Sequence, residues 1–108
     1  MKLPASATID PRKVTEYLLQ HRQEDDKSTF LAQAGYTLES PARLLADLRE
    51  QILTHEAEVI GTFEYGTKFR IRGVLRGPNG RALRIVSIWV TLGTTGETKF
   101  VTLYPEKP

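Results

Sequence analysis

Cationic and aromatic residues are concentrated in the C-terminal half of the chain, in a pattern suited to contact with a polyanion. No acidic residue lies between Glu64 and Glu97, and the cations of this interval are Lys68, Arg70, Arg72, Arg76, Arg81 and Arg84. Lys and Arg neutralise phosphates, and aromatic rings stack on unpaired bases. A solvated face without any ligand has a similar composition, so composition alone leaves both interpretations open.

Composition and charge bound the functions that these residues can serve. The chain has 108 residues, of which 40% are hydrophobic and 26% charged, and this is typical of a single folded domain spanning 1–108. The net charge of +2 divides into −2 over residues 1–56 and +4 over residues 57–108. Since there is no cysteine, thiol chemistry is excluded and a reducing cytoplasm is the expected compartment. No apolar stretch predicts a membrane span or a secretory signal.

The common catalytic and metal-binding motifs are absent. There is no Gly-x-Ser-x-Gly segment, and His21 and His55 are far apart in the sequence. The acidic run Glu24-Asp25-Asp26 has no histidine at ligand spacing and is interpreted as the end of one helix and the cap of the next. We therefore expect neither a metal nor another cofactor.

Metal-free RNA cleavage remains chemically possible, because the nucleophile is the 2′-hydroxyl of the substrate and the protein supplies a base, an acid and cations. Lys68 and Arg70 are candidates to hold the phosphate. Thr102 or Tyr104 could donate a hydrogen bond to it, and His21 is a candidate acid or base. A structural role on the apolar side of its helix is the alternative for His21.

Three helices are predicted before residue 58. The first begins at Pro11 with Asp10 as N-cap, a short second one ends at Gly35, and the third begins after Ser40, whose hydroxyl is the expected cap. In each predicted helix, residues that would share one face recur at helical spacing, and most of them are apolar. These residues are Val14, Tyr17, Leu18 and His21 in the first helix, Phe30, Leu31 and Ala34 in the second, and Leu44, Leu45, Leu48 and Ile52 in the third.

From Glu58 the hydrophobic period changes to two, which predicts strands. The four segments are 58–64, 67–76, 82–92 and 98–104, and the short turns between them require antiparallel pairing. The predicted fold is α+β, with two to three N-terminal helices packed on one face of a four-stranded antiparallel β-meander.

The position of each turn predicts which residues share a face. Centring the second turn on Pro78 and Asn79 gives a face for the helices that contains Phe69, Ile71, Val86, Ile88, Val90, Val101 and Leu103. The opposite face then holds Lys68, Arg70, Arg72, Ile85, Ser87, Trp89, Phe100, Thr102 and Tyr104. Cations beside aromatic rings favour single-stranded RNA, with Arg70, Arg72 and Trp89 as contacts. A face that serves only solubility is the alternative.

Four features of the sheet region carry a resemblance: Tyr65-Gly66-Thr67-Lys68, Gly77-Pro78-Asn79-Gly80-Arg81, Trp89 and Val101-Thr102-Leu103-Tyr104-Pro105. With them the sequence resembles an uncharacterised family of small bacterial domains, which look like members of the barnase-like and RelE-like ribonuclease toxin class. The resemblance implies N-terminal helices on a four-stranded sheet, RNA as substrate and a small neutralising partner protein. The positions that match the family's pattern are His21, Lys27, Lys68, Arg81, Trp89, Thr102 and Tyr104. Lys27 and Arg81 thereby join the substrate-contacting candidates.

Two hypotheses follow. The first is a small metal-independent endoribonuclease of toxin type, with Lys68, Thr102, Tyr104 and His21 as catalytic residues. The second is a non-catalytic module that binds single-stranded RNA or a small acidic protein through the same face. Since edge strands invite pairing, either a monomer or a homodimer is compatible with the pattern.

Overall fold

The computed structural model describes residues 1–23 and 26–107, in which helices precede an antiparallel sheet. The helices are a π-helical segment (Lys13–Leu18), α1 (Ser28–Ala32) and α2 (Pro41–Asp47), which continues as a second π-helical segment (Leu48–Ile52). The strands are β1 (Glu58–Phe63), β2 (Gly66–Arg76), β3 (Ala82–Leu92) and β4 (Thr98–Pro105), in the order β1-β2-β3-β4. The predicted α+β class and meander are confirmed. None of the helices in these ranges combines the length and apolar character needed to cross a bilayer.

Carboxylates predicted as helix caps accept backbone N–H groups at the start of the first two helical segments. The Asp10 carboxylate accepts the backbone N–H of Arg12 at 3.0 Å. Asp26, which precedes the N-cap residue Lys27, accepts the backbone N–H of Ser28 at 3.2 Å, while Glu24 and Asp25 of the same acidic run lie outside the described residues. Ser40 is the N-cap residue of α2, as predicted, but its hydroxyl makes no capping hydrogen bond to the described part of the chain.

The core lies between α2 with its π-helical continuation and one face of the sheet. Leu44, Leu48 and Ile52 recur every four residues, are fully buried and share one core cluster with the sheet. The sheet residues in this cluster are Phe69, Ile71, Leu75, Leu83, Ile85, Trp89, Phe100 and Leu103. The Trp89 and Phe100 rings meet edge to face, with their centroids 5.2 Å apart.

The predicted register between β2 and β3 is wrong by one residue. Arg76 pairs with Ala82, and the N–H of Gly77 donates to the Arg81 carbonyl at 3.0 Å, so the loop has three residues, 78–80. Gly80 has a φ of +86° in this loop. A three-residue hairpin loop of this kind places a left-handed residue last, and glycine adopts that conformation without a Cβ penalty. Because the loop has three residues instead of the predicted two, each side chain of β3 lies on the face of the sheet opposite to the one predicted.

Because of this shift, Trp89 lies in the core and not on the face opposite the helices. Its side chain is fully buried, and its indole N–H donates to the Ser87 hydroxyl oxygen at 2.8 Å. The Ser87 hydroxyl in turn donates to the Ile71 carbonyl at 3.0 Å. These bonds satisfy the buried polar atoms. The predicted contact between Trp89 and RNA is contradicted, and Ile85 and Ser87 were likewise assigned to the wrong face.

A second irregularity lies in β4. Trp89 pairs with Phe100 but Ile88 pairs with Thr102, so Val101 is an extra residue in the strand. Such a bulge breaks the alternation of side chains. Phe100 consequently faces the core, contrary to prediction, whereas Thr102 remains on the opposite face with Tyr104, as predicted.

The loop between β2 and β3 is held against the end of α1. The backbone N–H of Asn79 donates to the Ala34 carbonyl at 3.2 Å, and the Asn79 side-chain amide donates to the Gln33 carbonyl at 3.0 Å. Gly77 lies so close to this segment that a Cβ atom there would be 2.0 Å from the Ala34 carbonyl oxygen. Contact with α1 therefore requires glycine at position 77.

We expect Gly77→Ala to destabilise the domain by about 1–3 kcal/mol, since the added methyl group forces backbone away from backbone. Gly93→Ala is the matched control, because the atom nearest to its added Cβ is 3.8 Å away. Chemical denaturation of both variants measures the difference. Equal free energies of unfolding for the two variants would show that the loop does not pack on α1 as described.

Candidate functional site

The sheet face turned away from the core cluster, here called the open face, carries the candidate site. Three rows of residues cross it from β2 through β3 to β4: Arg72, Val86 and Tyr104, then Arg70, Ile88 and Thr102, then Lys68, Val90 and Lys99. The middle residues are at most 9% exposed although they lie outside the core cluster. Long side chains cover apolar surface with their stems, and such side chains flank this stripe on both strands. Along the strands, the open face thus has an apolar floor on β3, formed by Val86, Ile88 and Val90. The cations of β2 form a cationic row on one side of this floor, and the side chains of β4 form a polar row on the other.

Row positions determine which predicted residues come together. Arg72 and Tyr104 are separated by two strand spacings, roughly 10 Å between their Cα atoms. Lys68 lies two rows further along β2, which places its Cα roughly 17 Å from that of Tyr104. The open face therefore brings Arg70 and Arg72 opposite Thr102 and Tyr104, and it leaves Lys68 at the far end.

Two carboxylates flank the arginines. The Arg70 guanidinium donates from Nη2 to Glu58 Oε2 at 3.1 Å, and this hydrogen bond holds the pKa of Glu58 below its usual 4.5. The Arg72 Nε lies 4.0 Å from Glu58 Oε1 and 3.9 Å from Glu106 Oε2. The buried Nε of Arg70 has no hydrogen-bond partner within 1–23 and 26–107. Both arginines are thus held in place on the open face by weak, partly exposed ion pairs.

The sequence reasoning missed these carboxylates. Glu58 pairs directly with Arg70 across the hairpin between β1 and β2. Opposite charges on directly paired residues attract each other, so extending the register analysis to the first hairpin would have found Glu58. Glu106 follows the last strand and carries no comparable signal.

The N-terminal helical region adds a cation and a phenol on the β4 side. Lys27 Nζ lies 5.9 Å from the centroid of the Tyr104 ring, within the range of a cation–π contact. The Tyr17 hydroxyl oxygen lies 3.0 Å from the Thr102 Oγ1. Tyr17 is a further site residue that the sequence analysis did not identify, because its apolar spacing assigned it to the helix face.

Asp26 positions the segment that bears Lys27. Its carboxylate accepts hydrogen bonds from the hydroxyls of Ser28 at 2.6 Å and Thr29 at 2.8 Å. These bonds keep the pKa of Asp26 far below its usual value of 3.8. The Nδ1 of His21 lies 3.4 Å from Oδ2 of the same carboxylate, and the imidazole is 78% exposed. His21 is therefore accessible to solvent and lies next to Asp26, the residue that precedes Lys27.

Two other features lie apart from these rows. Arg81 is exposed directly after the loop between β2 and β3, and its backbone N–H donates to the Asn79 side-chain oxygen at 2.9 Å. A surface depression of about 390 Å³ lies between the N-terminal segment and the 49–54 region, and none of the open-face residues line it. No group of three His, Asp or Glu side chains suited to a metal ion occurs in the part of the chain that the structure describes.

We call Arg70, Arg72, Thr102, Tyr104 and Lys27 the open-face cluster. The cluster offers positive charge on one side and hydroxyl donors on the other, with the buried side chains of Val86 and Ile88 between them. Such a surface can bind the phosphates of an extended polyanion and place proton-transferring groups beside them. A small molecule would find little enclosure there.

Comparison with known proteins bears on the fold and the family. One chain of a solved structure, the contact-dependent growth inhibition toxin–immunity protein complex from Klebsiella pneumoniae 342, shares the fold with a TM-score of 0.59. The two chains are 18% identical, and the match covers 96% of this chain and 97% of that one. No curated protein matches significantly. A family model described as a domain of unknown function, DUF6883, matches residues 2–107, and the chain therefore belongs to the DUF6883 family.

Proposed function

We propose that this chain is a metal-independent endoribonuclease of toxin type that binds RNA across its open face. The observation that carries the proposal is the placement of Arg70 and Arg72 opposite Thr102 and Tyr104, on a sheet face outside the core. The fold shared with a chain of a toxin–immunity protein complex supports the same class. The sequence resemblance to ribonuclease toxins adds to it.

The reaction that fits this inventory is transesterification within the RNA. The 2′-oxygen attacks the adjacent phosphorus, a base takes the 2′-hydroxyl proton, and the bond from phosphorus to the 5′-oxygen breaks. An acid gives a proton to the departing 5′-oxygen. The products are a 2′,3′-cyclic phosphate and a 5′-hydroxyl, so the protein has to supply only proton transfer and charge stabilisation.

The open-face cluster divides these tasks between its two sides. Arg70 and Arg72 bind the phosphate oxygens, on which negative charge increases as the phosphorane forms, and their planar guanidinium groups suit this geometry. Tyr104, with Lys27 near its ring, lies on the other side and is one proton-transfer group. His21 is the second, and its Nδ1 lies 3.4 Å from Asp26 Oδ2. Thr102, next to the Tyr17 hydroxyl, donates a hydrogen bond to the substrate.

Lys68 and Arg81 serve RNA binding in this proposal. Both lie outside the open-face cluster, and roughly 17 Å separates Lys68 from Tyr104. A charge at that distance contributes to affinity more than to the chemical step.

We also infer a small neutralising partner of the immunity type. The chain with the shared fold is part of a toxin–immunity protein complex. The open face of this chain combines a row of cations with an apolar floor, a composition that an acidic protein surface complements. Such a partner would exclude RNA by occupying the same face.

The wild-type protein is expected to cleave single-stranded RNA in the presence of EDTA and to leave 2′,3′-cyclic phosphate ends. Arg72→Ala should reduce the cleavage rate at least about 100-fold through loss of phosphorane stabilisation. Tyr104→Phe should reduce it by a similar factor through loss of proton transfer. Lys2→Ala removes a cation from the N-terminal segment and serves as the control, with a rate close to that of the wild type.

Mass spectrometry of the products and single-turnover rates measure these effects, with circular dichroism to show that each variant is folded. Salt-sensitive RNA binding without any cleavage would contradict the catalytic proposal and favour the non-catalytic module. Cleavage that requires a divalent cation would contradict the metal-independent reaction.

Glu58→Gln should bind RNA more tightly than the wild type at neutral pH, because it removes the carboxylate that competes with phosphate for Arg70 and Arg72. The pKa of Glu58 is below 4.5, so the wild-type carboxylate stays charged down to that pH and below. The difference in affinity should therefore be constant from pH 7 to about 5 and shrink only as pH falls through the lowered pKa. Binding isotherms across this range, with a non-cleavable 2′-O-methyl oligonucleotide, provide the test. Weaker binding by Glu58→Gln would mean that the carboxylate positions the arginines for phosphate.

A further inference from the structure

Two exposed aromatic rings lie beside one another at the hairpin between β1 and β2. The Phe63 and Tyr65 rings stack with their centroids 5.4 Å apart and an angle of 14° between their planes. Phe63 is 48% exposed and Tyr65 is 47% exposed, and neither belongs to the core cluster. The two stacked rings therefore do not contribute to the hydrophobic core.

The pair belongs to the open face. In the β1–β2 ladder Gly61 pairs with Lys68, and Phe63 pairs with Gly66. Paired residues share a face and alternate residues of a strand point the same way, so Phe63 lies on the same side of the sheet as Lys68. Lys68 Nζ lies 5.3 Å from the centroid of the Phe63 ring. The aromatic pair thus continues the cationic row of β2 at the end that lies farthest from Tyr104.

The position of the Phe63 ring depends on the absence of a side chain at Gly61. A Cβ atom at position 61 would be 2.7 Å from one atom of the Phe63 ring. The ring therefore lies directly over the backbone of β1, next to the irregularity in the β1–β2 pairing between Val59 and Gly61. One side of the stacked pair is thus the Phe63 ring against the backbone of β1, and the other side is the exposed Tyr65 ring.

We propose that Phe63 and Tyr65 form a stacking platform for an unpaired base of single-stranded RNA, with Lys68 contacting an adjoining phosphate. The inference rests on the proposed function and specifies its substrate as RNA with an unpaired base remote from the cut. Base stacking on an aromatic ring tolerates any base, and a nearby cation adds affinity for the backbone. Bases within a duplex have no exposed face to offer, so the platform selects single strands.

The distance between platform and cluster sets a length requirement. Lys68, next to Phe63, lies roughly 17 Å from Tyr104, and about five nucleotides cover this distance at the 3.4 Å spacing of a stacked strand. Arg70 and Arg72 lie along the path between them. An oligonucleotide too short to reach both ends should therefore contact either the platform or the open-face cluster, but not both at once.

The test uses single-stranded 2′-O-methyl RNA, which cannot be cleaved because its 2′-oxygens are blocked. With a ten-nucleotide probe, Tyr65→Ala should raise the dissociation constant about 5- to 100-fold, and Phe63→Ala should act in the same direction. Tyr65→Phe keeps the ring and should remain within about twofold of the wild type. Gly61→Ala displaces the Phe63 ring and should also weaken binding, whereas Leu38→Ala, an exposed apolar residue in the helical region, should not.

The outcomes separate this inference from the proposed function. If the wild type binds the probe and Tyr65→Ala and Phe63→Ala bind it equally well, the platform is wrong, while the proposed function stands. If the wild type binds no single-stranded probe at low salt, the proposed function fails and the platform with it. A three-nucleotide probe that loses as much affinity as the ten-nucleotide probe does in both Tyr65→Ala and Arg72→Ala would contradict the separation of platform and cluster.

Discussion

The alternation of side chains along β3 is the constraint on which the rest of the structure depends. Successive residues of a strand point to opposite faces of the sheet. One residue more or less in the preceding loop therefore decides whether the odd-numbered or the even-numbered side chains of β3 pack against the helices. Here the three-residue loop with left-handed Gly80 directs Trp89 and Ile85 inward. Val86, Ile88 and Val90 then become the floor of the open face. The hydrophobic core and the candidate site are thus two consequences of one register.

A second irregularity completes the arrangement. The extra residue Val101 allows Phe100 to pack edge to face on Trp89 in the core while Thr102 and Tyr104 reach the opposite side. Without this bulge a regular β4 would place all three side chains on one face. The polar row of the site therefore exists because the strand is irregular, which is common for strands beside functional residues.

The strands themselves were predictable, and the register was not read correctly from the same sequence. β3 has the predicted bounds, and β2 begins one residue early, since turn-forming glycines mark the ends. A signal for the longer loop was present at Pro78, whose φ is fixed near −65° and does not suit the two-residue hairpin turns, which need a positive φ at that position. The bulge gave no comparable signal, because Val101 is an ordinary strand residue. Thr102 and Tyr104 were placed on the correct face because the errors in the loop and in the bulge compensate each other.

Tertiary contacts account for what the sequence could not supply about the site. Glu58 and Glu106 beside the arginines, and Tyr17 beside Thr102, come from segments distant along the chain. Lys27 was found only through the resemblance to a known family, and its position near Tyr104 depends on the hydrogen bonds that Asp26 makes at the start of α1. The result is a sheet face on which two of the cations, Arg70 and Arg72, are partly neutralised by Glu58 and Glu106.

The most direct measurement of the central claim is the fluorescence of Trp89, the only tryptophan of the chain. If β3 has the register described, emission from the native protein is blue-shifted relative to the unfolded chain, acrylamide quenches it weakly, and added single-stranded RNA leaves it unchanged. Native emission at the wavelength of the unfolded chain, with strong quenching by acrylamide, would place Trp89 on the open face and contradict the account.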